Sequence, residues 1–271
     1  MEIRKYKLLA ALIFVLAGLT ISSSCKKDNS NVGNVNLPVV ESYLIPGNTI
    51  QVKLYLQKSL TDTAKFGAAI TGQKLYITDG NNKVLLTESA IGVYTYINPD
   101  FLVAGKTYSL TFNYQGFNIS ASTTMPVKPK NFTTSAETIH FSTTTTPGKN
   151  DVVLDTLRWD NPDSLNHVLV FFNADEKDFP VNSFGSSNRP YNFTINTSRS
   201  SFFNITQNIF PYYGPYQIVL MRVNQEYVDF LNSNTSGANT TTLNNVPTNI
   251  VNGYGIFTAM QADTVSLNVF N

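Results

Sequence analysis

Few residues in this chain are suited to covalent or coordinate chemistry. The first, Cys25, is the only cysteine in 271 residues. A thiolate is a nucleophile and a metal ligand, but one sulfur makes no disulfide and no thiolate zinc cluster. Its setting points to acylation. Arg4, Lys5 and Lys7 precede an apolar run from Leu8 to Ile21, and Ser22-Ser23-Ser24 leads into Cys25. The run, about fourteen residues long, is too short to span a ~30 Å hydrocarbon core. It has the build of a secretory signal peptide of the bacterial lipoprotein kind. Residues 1–24 are expected to be removed before Cys25 and a lipid placed on its sulfur, although Ser22 stands where Leu or Val is commoner. Residues 25–37, with the polar aperiodic stretch Lys26 to Leu37, then read as a flexible tether. A diacyl or triacyl anchor supplies the chains that stable membrane attachment requires.

Metal and catalytic chemistry find little purchase. His140 and His167 are far apart and sit in no H-x-H, H-x-x-x-H or H-E-x-x-H context. His167 belongs to an apolar strand and reads as a core residue with a satisfied hydrogen bond. Asp79, Asn81 and Asn82, and again Asp160, Asn161 and Asp163, offer oxygens for calcium, but both groups are ordinary turn chemistry without EF-hand spacing. No G-x-S-x-G elbow occurs, and Gly185-Ser186-Ser187 lacks the flanking glycine. There is no glycine-rich phosphate loop or dinucleotide fingerprint. The expectation is no metal, no cofactor, no catalytic residue and no enzyme.

Binding and modification offer more. Trp159, the single tryptophan, is either a stacking platform or a core residue, and its place at the end of an alternating strand favours the core. In Phe210-Pro211-Tyr212-Tyr213-Gly214-Pro215-Tyr216 the prolines and glycine enforce a loop. Phe210, Tyr212 and Tyr213 are then either a contact surface, because aromatic side chains on a rigid loop give area at low entropy cost, or a packed loop that covers the sandwich end, with Tyr216 starting the next strand. Asp followed by Ser or Thr and an apolar residue recurs at Thr63, Thr156, Ser164 and Thr264. That is the acceptor pattern for O-glycosylation in exported Bacteroidetes proteins, against roughly one match from composition alone.

The elements that must position these residues are strands. Charged residues are only 14% of the chain and the formal net charge is +1, which implies neither nucleic acid nor an anionic surface as partner. Ile50, Val52, Leu54 and Leu56 alternate with polar residues, as do Tyr108, Leu110, Phe112 and Tyr114. Asp79-Gly80-Asn81-Asn82 marks a hairpin. Turn signals recur at about 8–12 residues, the spacing of a sandwich. Met125-Pro126-Val127-Lys128-Pro129 reads as a linker between two β blocks. In the second block, His167 to Phe172 suits a strand buried on both faces or a sheet centre, and Tyr216 to Val223 is strongly β. One helix is expected over 224–233, capped by Asn224, with Val223, Tyr227, Phe230 and Leu231 on one face. Two last strands follow, Gly253–Ala259 and Thr264–Phe270. The fold class is thus all-β: two tandem sandwiches, residues 38–126 and 127–271.

Several segments carry a resemblance. Val40-Glu41-Ser42-Tyr43-Leu44 with Pro46-Gly47, Gly92-Val93-Tyr94, Gly105-Lys106-Thr107-Tyr108 and Thr123-Thr124-Met125-Pro126 follow in order. Then come Glu226-Tyr227-Val228-Asp229-Phe230-Leu231 and Pro247 to Phe257. This order resembles an uncharacterised family of Bacteroidetes outer-membrane lipoproteins built around a domain of unknown function. The resemblance implies an immunoglobulin- or transthyretin-like sandwich followed by a fibronectin-like one, and no catalytic residue. It also implies a TonB-dependent transporter as partner, by gene association.

The functional expectation is a non-catalytic accessory or binding protein, lipid-anchored in the outer membrane. The alternative is a structural or adhesive surface protein. The nature of any glycan or small-molecule ligand, and the side of the membrane, stay open at this stage.

Overall fold

The computed structural model describes residues 37–58, 63–64, 66–141, 152–175, 179–181, 189–206, 208–235 and 247–271. Cys25 with its signal and most of its tether, the Gly185-Ser186-Ser187 loop and the turn at Pro147 lie outside these residues. The strands in chain order are β1 (Pro38–Leu44), β2 (Ile50–Leu56), β3 (Tyr76–Thr78), β4 (Lys83–Leu85), β5 (Thr87–Ala90), β6 (Val93–Tyr96), β7 (Thr107–Tyr114) and β8 (Phe117–Thr124). They continue with β9 (Thr138–His140), β10 (Val153–Arg158), β11 (His167–Asn173), β12 (Phe193–Ser198), β13 (Phe202–Thr206) and β14 (Gly214–Val223). Helix α1 (Gln225–Thr235), β15 (Ile250–Val251) and β16 (Tyr254–Phe270) complete the chain.

The architecture is all-β with one short helix. A nine-stranded sheet runs β12-β11-β14-β16-β1-β2-β6-β5, with β9 added beside β16. A five-stranded sheet, β15-β8-β7-β3-β4, and a two-stranded one, β10-β13, complete the two sandwiches. The first core lies between the large sheet and the five-stranded one: Val40, Val52, Leu54 and Tyr94 meet Ile77, Leu110, Phe112 and Ile119. The second joins Leu169, Phe171, Ile218, Leu220 and Leu267 to Leu157, Trp159 and Ile205. The alternation that predicts each strand is the alternation that fills these cores, since neighbouring side chains point to opposite faces of a sheet.

The two expected closing strands are one. β16 runs for 17 residues without a break. Residues 254–259 pair in parallel with β1, and residues 260–269 pair antiparallel with β14. Met260 to Asp263 fall between the two expected strands, but β14 hydrogen-bonds straight across them. The period of two then puts Phe257 and Ala259 in the first core and Leu267 and Val269 in the second, all on one face of the strand. The division expected at residue 126 separates two cores, yet Ile250, Phe257 and Ala259 return to the first. Met125, expected in a linker, is buried there too, with its backbone bonded to Gly105 and Lys106. The parallel approach of β1 to β16 demands Gly255: it has φ +97°, and a Cβ would sit 2.0 Å from the Val40 carbonyl oxygen.

Helix α1 covers the other face of the large sheet. Val228 and Met260 are buried beside Val168 and Val223, with Tyr43, Tyr227 and Leu231 at the margin. Val228 thus takes the buried place expected for Phe230. Asn224 precedes the helix, but its side-chain amide donates away from it, to Thr123 Oγ1 at 2.9 Å and the Thr124 carbonyl at 2.8 Å.

This cover buries the start of β11 on both faces. His167 is fully enclosed. Its Nε2 accepts from Arg222 Nε at 3.2 Å and its Nδ1–H donates to the Leu165 carbonyl at 3.0 Å, so the neutral ring carries its proton on Nδ1. Burial first, and the Arg222 charge second, push its pKa down to about 4. An unfolded His titrates near 6.5, so the unfolded chain takes the proton first. Stability should fall as the pH drops through about 6.5 and keep falling to about 4, by up to about 3 kcal/mol in all. Thermal melts across pH 7 to 5 check this: His167→Gln should flatten that part of the profile relative to the parent.

Candidate functional site

Of the two readings of the aromatic loop, the packed one holds and the contact surface does not. Phe210 and Tyr212 are 1% and 2% exposed. Phe210 packs on Tyr216 at 4.7 Å and Phe171 at 5.8 Å between ring centroids. Tyr212 stacks on Tyr191 at 4.5 Å and donates its hydroxyl to the Arg189 carbonyl at 2.9 Å. Tyr213 is half-buried against Phe141. Only Phe210 to Tyr213 form the loop, since Gly214 and Pro215 already begin β14, and that loop folds inward and closes the second core. Trp159 is a core residue as expected from its strand, 3% exposed. Its indole N–H is buried, with no hydrogen-bond partner among the described residues.

The polar clusters are engaged as turns. The Asp79 carboxylate accepts from the backbone of Asn81 and Asn82 and pairs with Lys106 at 2.8 Å. These bonds, the Lys106 one foremost, hold its pKa well below the usual carboxylate range. Asn161 clasps the Leu165 backbone from both ends, at 2.8 and 2.9 Å. Among the described residues no three metal-ligating side chains converge. Of the acceptor residues, Thr63, Ser164 and Thr264 are exposed, whereas Thr156 is half-buried in β10 and donates to Asn204 Oδ1 at 3.1 Å. His140 is exposed and stacks on Phe270.

Two other places gather side chains. The first is a polar junction beneath the start of α1. Glu226 Oε1 accepts from Thr123 Oγ1 at 2.7 Å and Thr258 Oγ1 at 3.1 Å. Thr123 Oγ1 also accepts from Asn224 Nδ2 and from the Ala259 N–H at 3.1 Å, which completes the one donor and two acceptor sites of a hydroxyl. Asn249 grips Phe257 by both backbone groups, at 2.6 and 3.0 Å. Segments that carry the family resemblance, Thr123–Pro126, Glu226–Leu231 and Pro247–Phe257, meet here. A cavity of about 340 Å³ lies alongside. Its acids are already occupied: Glu226 by the threonines and Asp229 by Gln225 Nε2 at 2.8 Å.

The second place is a wider groove, about 530 Å³, on the outer face of the five-stranded sheet. Its position follows from the pleat. Ile77, Leu110, Ile119 and Ala121 point inward to the core, so Tyr76, Thr111, Ser120 and their alternates point outward. Register sets Val251, Ser120, Thr111, Tyr76 and Leu85 in one row across all five strands. Gln73, Lys74, Lys83, Asn113 and Asn118 also line the groove. Lys83 Nζ stands 4.3 Å from the Tyr76 ring centroid, a cation–π distance that holds the ammonium beside the floor.

One wall of the groove is the loop at Gly72 to Lys74, and it is tied down from below. Buried Tyr94 donates to the Ile70 carbonyl at 3.0 Å and accepts from the Gln73 N–H at 3.1 Å. Glu88 accepts from the Gly72 and Gly92 N–H groups at 2.7 and 3.0 Å. Those backbone donors lower the Glu88 pKa. Such a surface can engage a ligand by complementarity of hydrogen bonds and charge. Sequence reading missed it because its residues come from four separated segments, each unremarkable alone. The one available signal was the run of Ser, Thr and Asn at the outward positions of β7 and β8.

A family profile described as a domain of unknown function, DUF4249, matches residues 28–266. No curated protein matches the sequence. Among solved structures, the FN1–FN3 domains of chicken CNTN1 are similar at 12% identity and a TM-score of 0.28, over 88% of this chain and 66% of that one.

Two outcomes are expected. Tyr212→Ala should lower stability by about 3–5 kcal/mol, the usual cost of emptying a packed aromatic site, where an exposed ring would cost little; chemical denaturation measures it. Tyr94→Phe should cost about 1–3 kcal/mol, because it leaves the Gln73 N–H and Ile70 carbonyl without their partner. In hydrogen exchange it should raise the rate at Gln73 more than at the amides of β7.

Proposed function

This chain belongs to the DUF4249 family, and from that premise we propose that it is a non-catalytic binding protein, held to the outer membrane by a lipid on Cys25. The groove over Tyr76 is the ligand-facing surface, and a TonB-dependent transporter is the neighbour beside which it works. The observation that carries this reading is the groove itself: an aromatic ring, amides, hydroxyls and ammonium groups gathered on a rigid sheet face. Sites of this kind, a few placed polar groups around an aromatic surface, fix a ligand by orientation. The anchor is supported by the N-terminal sequence alone, where a basic start, a short apolar run and small residues precede Cys25.

The two parts of the reading are tested separately. In detergent phase partition of the full protein, Cys25→Ser should move it from the detergent phase to the aqueous phase with its melting temperature unchanged. Retention in the detergent phase would sink the anchor. A photo-crosslinking side chain placed at Asn118, on intact cells, should capture an outer-membrane transporter or its ligand. Capture of pili or matrix components would instead make this an adhesive surface protein.

A further inference from the structure

We propose that the groove over Tyr76 is a subsite for an acidic saccharide, a hydroxyl-rich chain that carries carboxylate groups. This rests on the binding-protein reading and supplies its ligand class.

The floor speaks for a polyol. Across β7 and β8 the outward positions pair as Thr107 with Thr124, Ser109 with Ser122, Thr111 with Ser120 and Asn113 with Asn118; Thr111, Asn113 and Asn118 line the groove and the others extend the same sheet face beyond it. Thr107 and Thr124 share a hydrogen bond at 2.8 Å, and Ser109 donates to Ser122 at 3.3 Å. Hydroxyls and carboxamides each donate and accept, which is what a string of sugar hydroxyls demands. At the two ends of the central row, Leu85 and Val251 are 51% and 57% exposed. With Tyr76 between them, they offer apolar surface to the C–H faces of pyranose rings.

The charge speaks for an acid. Lys53, Lys106 and Lys128 each meet a carboxylate. Among the described residues, the two groove lysines, Lys74 and Lys83, meet none, and no Asp or Glu lines the groove. Two ammonium groups thus face a polar floor without a counter-charge. In a chain of net charge +1 this is a local excess. The continuous basic field that a nucleic acid requires is absent from the sequence. A neutral saccharide would offer the two ammonium groups hydroxyl oxygens but no counter-charge, whereas carboxylates spaced along a sugar chain give each a charge-assisted hydrogen bond. A flat floor of hydroxyls also lacks the apolar pockets in which a peptide seats its anchors.

The test uses the full protein in detergent at low and moderate salt, with three probes of similar length: oligogalacturonate, a neutral galacto-oligosaccharide and poly-L-glutamate. By titration calorimetry the acidic saccharide should bind at least about tenfold more tightly than either control. Lys74→Gln and Lys83→Gln should each weaken that binding about tenfold, the equivalent of one good polar contact. Both lysines are exposed, so their melting temperatures should not move and a loss of binding is not a loss of fold. Equal binding of poly-L-glutamate would mean that charge alone is read, and overturns the saccharide. Equal binding of the neutral sugar, indifferent to both lysine variants, overturns the acidic class while leaving the binding-protein reading intact. Binding of none of the three overturns the proposal; crosslinking from Asn118 then decides the binding-protein reading alone.

Discussion

The seventeen residues of β16 hydrogen-bond first to β1 and then to β14, and this single ladder makes one sheet out of what would otherwise be two. Both cores rest on the same face of that strand, so neither sandwich is closed without it. The polar junction sits where the strand changes partners. Thr258 and the Ala259 N–H face Glu226 and Thr123 there, and the groups that a break in the ladder would strand are satisfied by side chains from β8 and α1. Replacing this network by apolar groups would remove the bonds that fix the register between the two halves.

A chain so poor in charge has to hold its loops by other means. Buried tyrosines do it. Tyr108 donates to the Phe101 carbonyl at 2.8 Å and accepts from the Val103 N–H at 2.7 Å. Tyr94 does the same at Ile70 and Gln73, and Tyr216 donates to the Tyr212 carbonyl at 2.9 Å. In each case the ring lies in a core and the hydroxyl reaches the backbone of a loop. Such bonds are neutral and buried, and are therefore screened little by salt. The groove wall owes its shape to one of them, so the candidate site is continuous with the core that supports it.

The sequence made the strands legible because burial alternates along them. β2 and β7 were readable residue by residue, and so was the burial of Trp159. Three things were not. Gln261-Ala262-Asp263 carries no strand signal of its own, and only pairing with β14 keeps it extended; tertiary context overrode local preference. Phe210 and Tyr212 could be placed in a loop but neither inside nor outside, because proline and glycine report backbone conformation and say nothing about which way the rings turn. The groove draws on Gln73, Lys83, Asn113 and Asn118, which only the register of β3, β4, β7 and β8 brings together. Asn249 and Thr123, the keys of the junction, were visible as parts of motifs without a hint that they share a partner strand.

The parallel pairing of Val40 with Gly255 also dictates when the molecule can finish folding. β1 and β2 form an early, local hairpin, and the strands from β3 to β8 follow in close succession. The place beside β1, however, stays empty until nearly the whole chain has been made. Non-local pairing of this kind is slow, because the intervening loop must be ordered before the contact rewards it. Until β16 arrives, β1 presents an open edge of backbone donors and acceptors, with Val40 and Leu44 uncovered beside it. The vulnerable species on the route to the native state is therefore an otherwise well-formed first sandwich waiting for its last strand.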